Sequence, residues 1–547
     1  MADYYVDDER TSNGSGTAAS PWKLRSDISW STITTALGSG PVNLYFSSRA
    51  AWTNTSYLTI PTNTNTTSNR LTIDGMSKYN TVASGDASWQ TETVSTNKAY
   101  LDQTVIIDRD VNQFITLRGF NIVGAASGGI ALGQGATLDP VFNIHDIIIE
   151  DCIVDTPTSN AGISMVFGET GCYNIIVRRN TIIESPAEGI YIGHFNYIPD
   201  TITGVIVEYN TLIDTGADAS GQGDIDIKPG VYGAIVRYNT IYHTTLGHVH
   251  AGVVMGASAG QVYGNEVYNL AAGIWDGEGI TVNADGAKLS VVSITRSGTT
   301  ATVTTLAAHT LVTGESMRIE DAVQSDYNIT ATVTVTGTTT FTYTVSNSPT
   351  TPATGTILAH IGKNLVNNLV YNNLIYGNYG NGVSAFSTAP RSSIAGLKVL
   401  NNTVLEQTNG HGLHASASGT GTIALTLTNN IFSENSTYEV WTSSSAVTLT
   451  SSNYNCFYHP ASSSLFYYQG VAKTWTQWQA LGFDANGVNA DPALLASYRP
   501  NAGSPVIGAG ATLSDFSVDF NEEARTAPWD IGAIRYYAAP RPVIVIG

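Results

Sequence analysis

The sequence has few charged residues, and positive charge is the scarcer sign. Lysine and arginine together number 24 against 43 aspartates and glutamates in 547 residues, which gives a formal net charge of −19. A chain without a broad basic surface is a poor match for a phosphate backbone, so we expect no nucleic acid partner. The charged fraction of 12% and the hydrophobic fraction of 42% also argue against disorder and against a solvated helical protein.

Cysteines and long apolar runs are also scarce. The three cysteines, Cys152, Cys172 and Cys456, form neither a disulfide framework nor a CxxC metal pattern. No apolar run is long enough for a transmembrane helix, so we expect no membrane insertion. A signal peptide is not recognisable, so we expect either a secreted chain whose signal has been removed or a protein of a phage particle.

The most informative feature is a repeated phrase, in which alternating apolar residues are followed by Asn-Thr-Ile or a similar triplet. The step is 30 residues from Asn180 to Asn210, 29 from there to Asn239 and 26 from there to Asn265. Such a period, built from short segments that alternate with period 2, predicts the coils of a single-stranded parallel β-helix. Parallel crossovers are generally right-handed, so we expect a right-handed all-β solenoid. The aligned asparagines predict a ladder of side-chain amides inside one turn.

One step breaks the period, because 108 residues separate Asn265 from Asn373. Residues 287–359 are rich in threonine and valine and lack the asparagine phrase. We therefore predict a small all-β domain inserted between two coils. The predicted organisation is an N-terminal cap and first coils over 1–286, the inserted domain over 287–359, and the remaining coils with a C-terminal cap segment over 360–547.

Both ends of the chain resemble the pectate-lyase-like β-helix superfamily. The resemblance rests on Ser20-Pro21-Trp22-Lys23 near the N-terminus and on Ser504-Pro505-Val506-Ile507-Gly508 and Asp530-Ile531-Gly532-Ala533 near the C-terminus. It implies a polysaccharide as partner, and either a monomer or, if the chain is tailspike-like, a homotrimer. Polysaccharide lyases, glycoside hydrolases, epimerases and phage tailspike depolymerases share this fold, so the resemblance does not select the reaction.

A candidate site emerges when equivalent positions of successive coils are aligned as columns. The position before the inward apolar residue of one strand is glycine in every aligned coil except one, which has Asp224. The same coil carries Asp226 and Lys228 in the next two outward columns. We predict three charges on one outer face, with neighbouring glycines leaving room for a flat ligand. The alternative is that Asp224 is turn chemistry and that the other two form an exposed ion pair of little energetic value.

The phrase Asp-x-Asp-x-Lys is similar to the lysine-plus-calcium sites of family nine polysaccharide lyases. The resemblance implies that Ca²⁺ is held by Asp224, Asp226 and Glu188 and neutralises a uronate carboxylate. Lys228 would then remove the C5 proton and begin β-elimination. The leading hypothesis is thus a polysaccharide lyase, or depolymerase, that acts on a uronate-containing polymer.

Two further hypotheses stay open. A pair of carboxylates could hydrolyse a glycosidic bond, with Asp224 or Asp226 opposite Glu188 or Glu278 on a neighbouring coil. A non-catalytic carbohydrate-binding tail or surface protein would use the same fold without a reaction.

Additional residues near the charged coil are candidates for substrate contact. Arg237 could reach a substrate carboxylate, although an ion-pair ladder with its column neighbours is the simpler interpretation. His250 is a candidate acid or base. Tyr191, Glu278 and Asn283 are the candidate substrate-binding residues.

Overall fold

The chain folds as a parallel β-helix of about 12 turns, which confirms the fold class predicted from the repeat. The computed structural model describes residues 1–7, 12–47, 51–52, 57–61, 68–81, 87–91, 98–107, 112–126, 128–132, 144–165, 172–193, 201–216, 223–244, 251–272, 277–285 and 288–537. A typical coil contributes one strand to each of three sheets that run along the solenoid. None of the helices in these ranges is long and apolar enough to cross a membrane.

The three long sheets are almost entirely parallel and are named here in the order in which a coil visits them. Over the described ranges, the strands of sheet 1 are Ala2–Val6, Val42–Ser47, Leu71–Thr81, Ala87–Thr91, Asn112–Arg118, Ile144–Glu150, Tyr173–Arg178, Ile202–Glu208, Val231–Tyr232, Ile235–Arg237, Gln261–Tyr263, Asn364–Val366, Leu369–Tyr371, Ser393–Leu400, Thr422–Thr428 and Val447–Asn453. Those of sheet 2 are Ala51–Trp52, Ala99–Leu101, Phe120–Val123, Ile153–Asp155, Thr181–Ile183, Thr211–Ile213, Thr240–Tyr242, Glu266–Tyr268, Leu374–Tyr376, Thr403–Leu405, Ile431–Ser433 and Cys456–Tyr458. Those of sheet 3 are Leu58–Ile60, Val105–Ile107, Ile130–Leu132, Ile163–Met165, Ile190–Ile192, Gly223–Ile227, Ala251–Met255, Ile280–Asn283, Val383–Ser387, Leu413–Ala417, Val440–Thr442, Phe466–Tyr468 and Val471–Lys473.

The turn from sheet 1 to sheet 2 explains the asparagine of the repeat. The residue before each asparagine adopts a left-handed conformation, with φ of 55° at Tyr209 and 54° at Tyr238. The following asparagine bonds to the next coil: the Oδ1 atom of Asn239 accepts from both the backbone N and the Nδ2 of Asn210, each at 3.0 Å. The predicted amide ladder is therefore confirmed, and its hydrogen bonds offset the cost of the left-handed residue. Its members are Asn180, Asn210, Asn239, Asn265, Asn373, Asn402, Asn430 and Asn455.

The ladder stops at Asp484, which accepts from the backbone N of Asn455 at 3.1 Å and from its Nδ2 at 2.9 Å. The helix Trp475–Ala480 lies beside this end of the solenoid, and Trp478 stacks on Phe466 with ring centroids 4.2 Å apart. At the other end, the helix Trp30–Leu37 buries Ile33 and Leu37 against the main core. Both ends of the stack are thus packed against a helix, which shields edge strands from pairing with other chains.

The segment between the coils of Asn265 and Asn373 forms a sheet of its own, sheet 4, which surrounds a separate apolar core. Its antiparallel strands, among the described residues, are Lys288–Ser297, Thr300–Thr305, Ser316–Glu320, Thr330–Thr332, Thr334–Val335, Thr340–Thr344 and Leu358–His360. Short 3-10 helices cover Arg25–Asp27 near the N-terminus and Ser325–Tyr327 beside sheet 4. Sheet 3 continues across the interruption, because Ile280 pairs directly with Val383. The division of the chain into domains at 287 and 359 stays a prediction.

Candidate functional site on sheet 3

The charged coil lies in sheet 3, where strand alternation decides which side chains face the core. Ile225 and Ile227 belong to the main apolar core, so Asp226 between them points to the other face of the sheet. In the register, Asp226 stands between Tyr191 on the preceding coil and Val254 on the following one. The column alignment made from the sequence is therefore the register of the structure.

Asp226 and Lys228 form an ion pair in which the Lys228 Nζ lies 2.5 Å from Oδ2 of Asp226. The Nζ atom also lies 5.1 Å from the centre of the Tyr191 ring, within range of a cation–π contact. Side-chain exposure is 7% for Lys228 and 0% for Asp226. The interpretation of these charges as an exposed ion pair is wrong: the pair is buried, and Gly193 and Gly256 flank Lys228 on the neighbouring coils.

The glycine column does not leave room for a ligand, as the sequence had suggested. A Cβ added at Gly162 would lie 2.5 Å from Cγ2 of Ile182, and one at Gly189 would lie 2.5 Å from Cδ2 of Leu212. These contacts are with apolar side chains of sheet 2, inside the corner where sheets 2 and 3 meet. Close packing of the interior therefore requires glycine at Gly162 and Gly189.

Asp224 occupies the glycine column, and its partners lie at the same corner. Its Oδ1 atom accepts a hydrogen bond from the Thr215 hydroxyl at 2.5 Å and lies 3.4 Å from Nε2 of His243. All three residues are buried, and Oδ2 of Asp224 has no hydrogen-bond partner within the described part of the chain. Burial lowers the pKa of His243, but the charge of Asp224 and the hydrogen bond to it raise this pKa by more. Asp224 is thus bonded to Thr215 and lies beside His243 at the corner between sheets 2 and 3. The structure does not bring it together with Asp226 and Lys228 in one cluster of charges, as the sequence predicted.

The same arrangement occurs a second time, at Glu439. The register aligns Leu413 with Val440, so Glu439 takes the position that Gly412 holds one coil earlier. Its Oε1 lies 3.2 Å from Nδ1 of His459, and the Asn435 amide donates to Oε2 at 2.5 Å. Burial raises the pKa of Glu439, whereas its hydrogen bond raises the pKa of His459. Two acids of the glycine column therefore pair with a histidine of the next coil, which favours the turn-chemistry interpretation of Asp224.

Glu188 and Glu278 both precede strands of sheet 3 and are both buried, with 7% of each residue exposed. The Glu278 carboxylate accepts from the Thr281 hydroxyl at 2.6 Å and from the Asn381 amide at 2.9 Å. Asn283 is half-buried, and its side-chain oxygen accepts from the backbone N of Asp285 at 2.8 Å. Their roles as metal or substrate ligands stay predictions.

The structure does not bring Arg237 to the charged coil. It lies in sheet 1, where its guanidinium pairs with Glu208 at 2.5 Å and donates to the Tyr263 hydroxyl at 2.8 Å. Burial lowers its pKa, but these hydrogen bonds raise it by more. Arg237 is therefore a member of the ion-pair ladder, which was the simpler of its two interpretations. His250 lies outside the described residues.

The described residues do not fit the predicted calcium site. They contain no group of three or more His, Cys, Asp or Glu side chains that could hold a metal ion. Calcium prefers six to eight oxygen ligands. The Asp226 carboxylate instead contacts the Lys228 ammonium group, and the Asp224 carboxylate contacts Thr215 and His243. Calcium stays a prediction, and no reaction step is assigned to it here.

From the sequence, only the charged coil of these columns was considered, and the other end of the same face was therefore missed. The outward column that holds Asp226 continues through Val254, Thr281 and Ser384 to His414, Trp441 and Tyr467. The signal was available, because extending the alignment by two coils places Trp441 and Tyr467 in this column.

Comparison with known proteins adds information on the fold. No family model matches the chain, and no curated protein matches it. Among solved structures, the complex of XylC with xylose is 10% identical with a TM-score of 0.42, covering 97% of this chain and 98% of that chain. The pectate lyase Pel9A is 13% identical with a TM-score of 0.35, covering 98% and 97%. The Dettilon tailspike protein gp208 is 11% identical with a TM-score of 0.25, covering 76% and 63%.

All three are parallel β-helix proteins. The parallel β-helix is established by the three sheets of the chain itself, and the reaction must be argued from its own residues.

Proposed function

We propose that this protein cleaves an acidic, uronate-containing polysaccharide by β-elimination at the Asp226–Lys228 pair. The observation that supports the proposal is the burial of this ion pair on the outward face of sheet 3. Replacing such a pair by well-packed apolar residues is often neutral or stabilising by about 1–4 kcal/mol, so stability gives little reason to retain it. Buried charge pairs that serve no structural need are candidates for function.

Each residue has a definite role in the proposed reaction. Asp226 first takes a proton from the Lys228 ammonium; the resulting amine takes the C5 proton of a uronate, and the released electron pair forms the C4=C5 bond. The bond from C4 to the glycosidic oxygen then breaks, this oxygen takes a proton from water, and the hydroxide formed takes the C5 proton back from Lys228. Asp226 positions the amine through their 2.5 Å contact, and the Tyr191 ring lies beside both.

A digestion assay with polygalacturonate, alginate and hyaluronan tests the proposal. Elimination produces a C=C bond conjugated to the carboxylate, which absorbs ultraviolet light, whereas hydrolysis does not. We expect this absorbance with the wild type and its loss in Lys228→Ala. We also expect its loss in Lys228→Arg, because arginine keeps the charge but cannot act as the base.

The matched control is Lys398→Ala, which removes a second Lys–Asp pair of the chain. Lys398 bonds Asp515 at 2.5 Å, but it is 45% exposed and belongs to a strand of sheet 1. The Lys398→Ala variant should retain full activity. Cleavage without the chromophore that survives Lys228→Ala would overturn the proposal and favour the carboxylate pair. Absence of any cleavage would leave the non-catalytic carbohydrate-binding protein. Loss of activity with a chelator would show that a metal takes part.

A further inference from the structure

The coils after the inserted segment carry a cluster of rings on the outward face of sheet 3. Trp441 lies at its centre, with its ring centroid 5.7 Å from that of Tyr467, 5.7 Å from that of His411 and 4.6 Å from that of His414. We call this cluster the aromatic strip, and its members are Phe386, His411, His414, Tyr438, Trp441 and Tyr467.

The aromatic strip is not part of the interior. Each of its six residues is half-buried, and none belongs to the apolar core of the solenoid. Rings exposed together in this way leave apolar surface in water, which is typical of a binding surface. The strip also lies in register with Asp226, and is thus continuous with the proposed reaction site.

Polar groups beside the rings indicate what kind of ligand would fit. The Asn381 amide donates to the Glu278 carboxylate at 2.9 Å and lies 3.1 Å from Nδ1 of His414. Since an amide N–H can only donate, Nδ1 of His414 accepts, and its Nε2 carries the hydrogen in the neutral ring. Burial and the neighbouring His411 lower the pKa of His414 to about 4, and burial alone lowers that of His411 to about 4. At neutral pH the strip therefore offers uncharged rings and a fixed N–H donor at His414.

We propose that the aromatic strip is a saccharide-binding subsite, which holds a pyranose unit of a polysaccharide at a distance from the Asp226–Lys228 pair. The ring carbons of a pyranose present C–H groups that contact aromatic surface, whose π-face is negative. One of its hydroxyls can accept the Nε2 hydrogen of His414. A lipid chain or an apolar side chain would offer no acceptor to this N–H.

The register gives the span of the ligand. Five strand steps separate Asp226 from Trp441, and at about 4.8 Å per step they are roughly 24 Å apart along the solenoid. Of the four positions between, Val254, Thr281 and Ser384 are buried and uncharged, and the fourth is His414 of the aromatic strip. A polysaccharide would have to run above these covered positions to reach both sites, and in this respect the inference rests on the proposed function.

Binding of oligosaccharides to Trp441→Ala tests the inference without requiring turnover. Titration calorimetry would compare fragments of polygalacturonate, alginate and hyaluronan shorter and longer than about 24 Å, the length set by the strand spacing. We expect Trp441→Ala to weaken the binding of the long fragments at least tenfold, and Trp441→Phe to retain most of the affinity. The control Tyr209→Ala removes a ring that is 43% exposed on sheet 1, and it should bind as the wild type does.

The outcomes separate this inference from the proposed function. Equal affinity of Trp441→Ala and the wild type for every fragment would overturn the inference, as would a wild type that binds none of the three polymers. Weakened binding by Trp441→Ala with no cleavage by the wild type would support the subsite and refute the lyase. Cleavage by the wild type together with unchanged binding by Trp441→Ala would support the lyase and refute the subsite.

Discussion

Replacement of Asn239 by alanine tests whether the amide ladder holds the coils together. Asn239 lies in the middle of the ladder, with bonded asparagines on both sides. Its Oδ1 accepts from the backbone N and the Nδ2 of Asn210, both at 3.0 Å, and its Nδ2 donates to the carbonyl of Val207 at 3.0 Å and to Asn265 at 2.9 Å. Alanine removes all of these bonds at once.

The size of the effect follows from the groups left behind. The backbone N–H of Asn210 loses its acceptor and the carbonyl of Val207 loses a donor, and both lie inside the turn. Each buried polar group without a partner costs about 1–3 kcal/mol. Two such groups amount to roughly 2–6 kcal/mol, a large share of the roughly 5–15 kcal/mol that stabilises a typical protein.

Thermal melting combined with hydrogen exchange would measure this effect, because a repeat protein can open locally without unfolding completely. Asn239→Ala should lower the melting temperature and speed exchange in the coils of Asn210 and Asn265. The control Asn409→Ala changes an exposed asparagine outside the ladder and should melt with the wild type. If the two variants melt at the same temperature, the ladder does not stabilise the stack as argued.

Two further predictions concern the acids of the glycine column. Asp224→Asn should lower the melting temperature but retain polysaccharide cleavage, whereas Asp226→Asn should lose it; equal loss of activity in both would show that Asp224 takes part in the reaction. The pKa of His459 is raised above 6.5 by its hydrogen bond to Glu439, so this bond stabilises the folded state fully below pH 6.5 and is lost as the pH rises through the raised value. The melting temperature of His459→Gln should therefore fall further below that of the wild type just below pH 6.5 than at a pH above the raised value, and a larger difference at the higher pH would contradict this.

The fold could be predicted well because the coils of a β-helix repeat in the sequence with a nearly constant period. The strands, the asparagine turn and the alignment of columns all follow from local alternation and from one constant step, which need no knowledge of distant contacts. Even the interruption after Asn265 was visible, since the next asparagine of the ladder is Asn373 and the two bond directly, with Nδ2 to Oδ1 at 3.0 Å.

The candidate site was less predictable because the alignment of columns gives the position of each residue along a coil but not which groups surround its side chain. Asp224 and Asp226 are two residues apart, and alternation alone places their side chains on the same face. In the structure Asp224 instead lies beside His243, and no periodic pattern in the sequence reveals this contact. Burial of the pair with Lys228 was missed for the same reason, since exposure depends on what packs over a strand.

The buried charges of this chain differ in what their burial achieves. Asp224 and Glu439 fill a corner that is otherwise closed by glycine, and each has a histidine of the next coil as partner. These two buried acids thus fill space and form hydrogen bonds inside the corner of their coils. Asp226 points away from the core, where Val254 holds the next position of the column and is itself buried. An apolar residue is therefore accommodated one coil away on the same face, so packing does not require a carboxylate and an ammonium group at Asp226 and Lys228. The Asp226–Lys228 pair therefore lies where packing does not require charged residues, unlike Asp224 and Glu439. This contrast makes the pair the better candidate for a catalytic role.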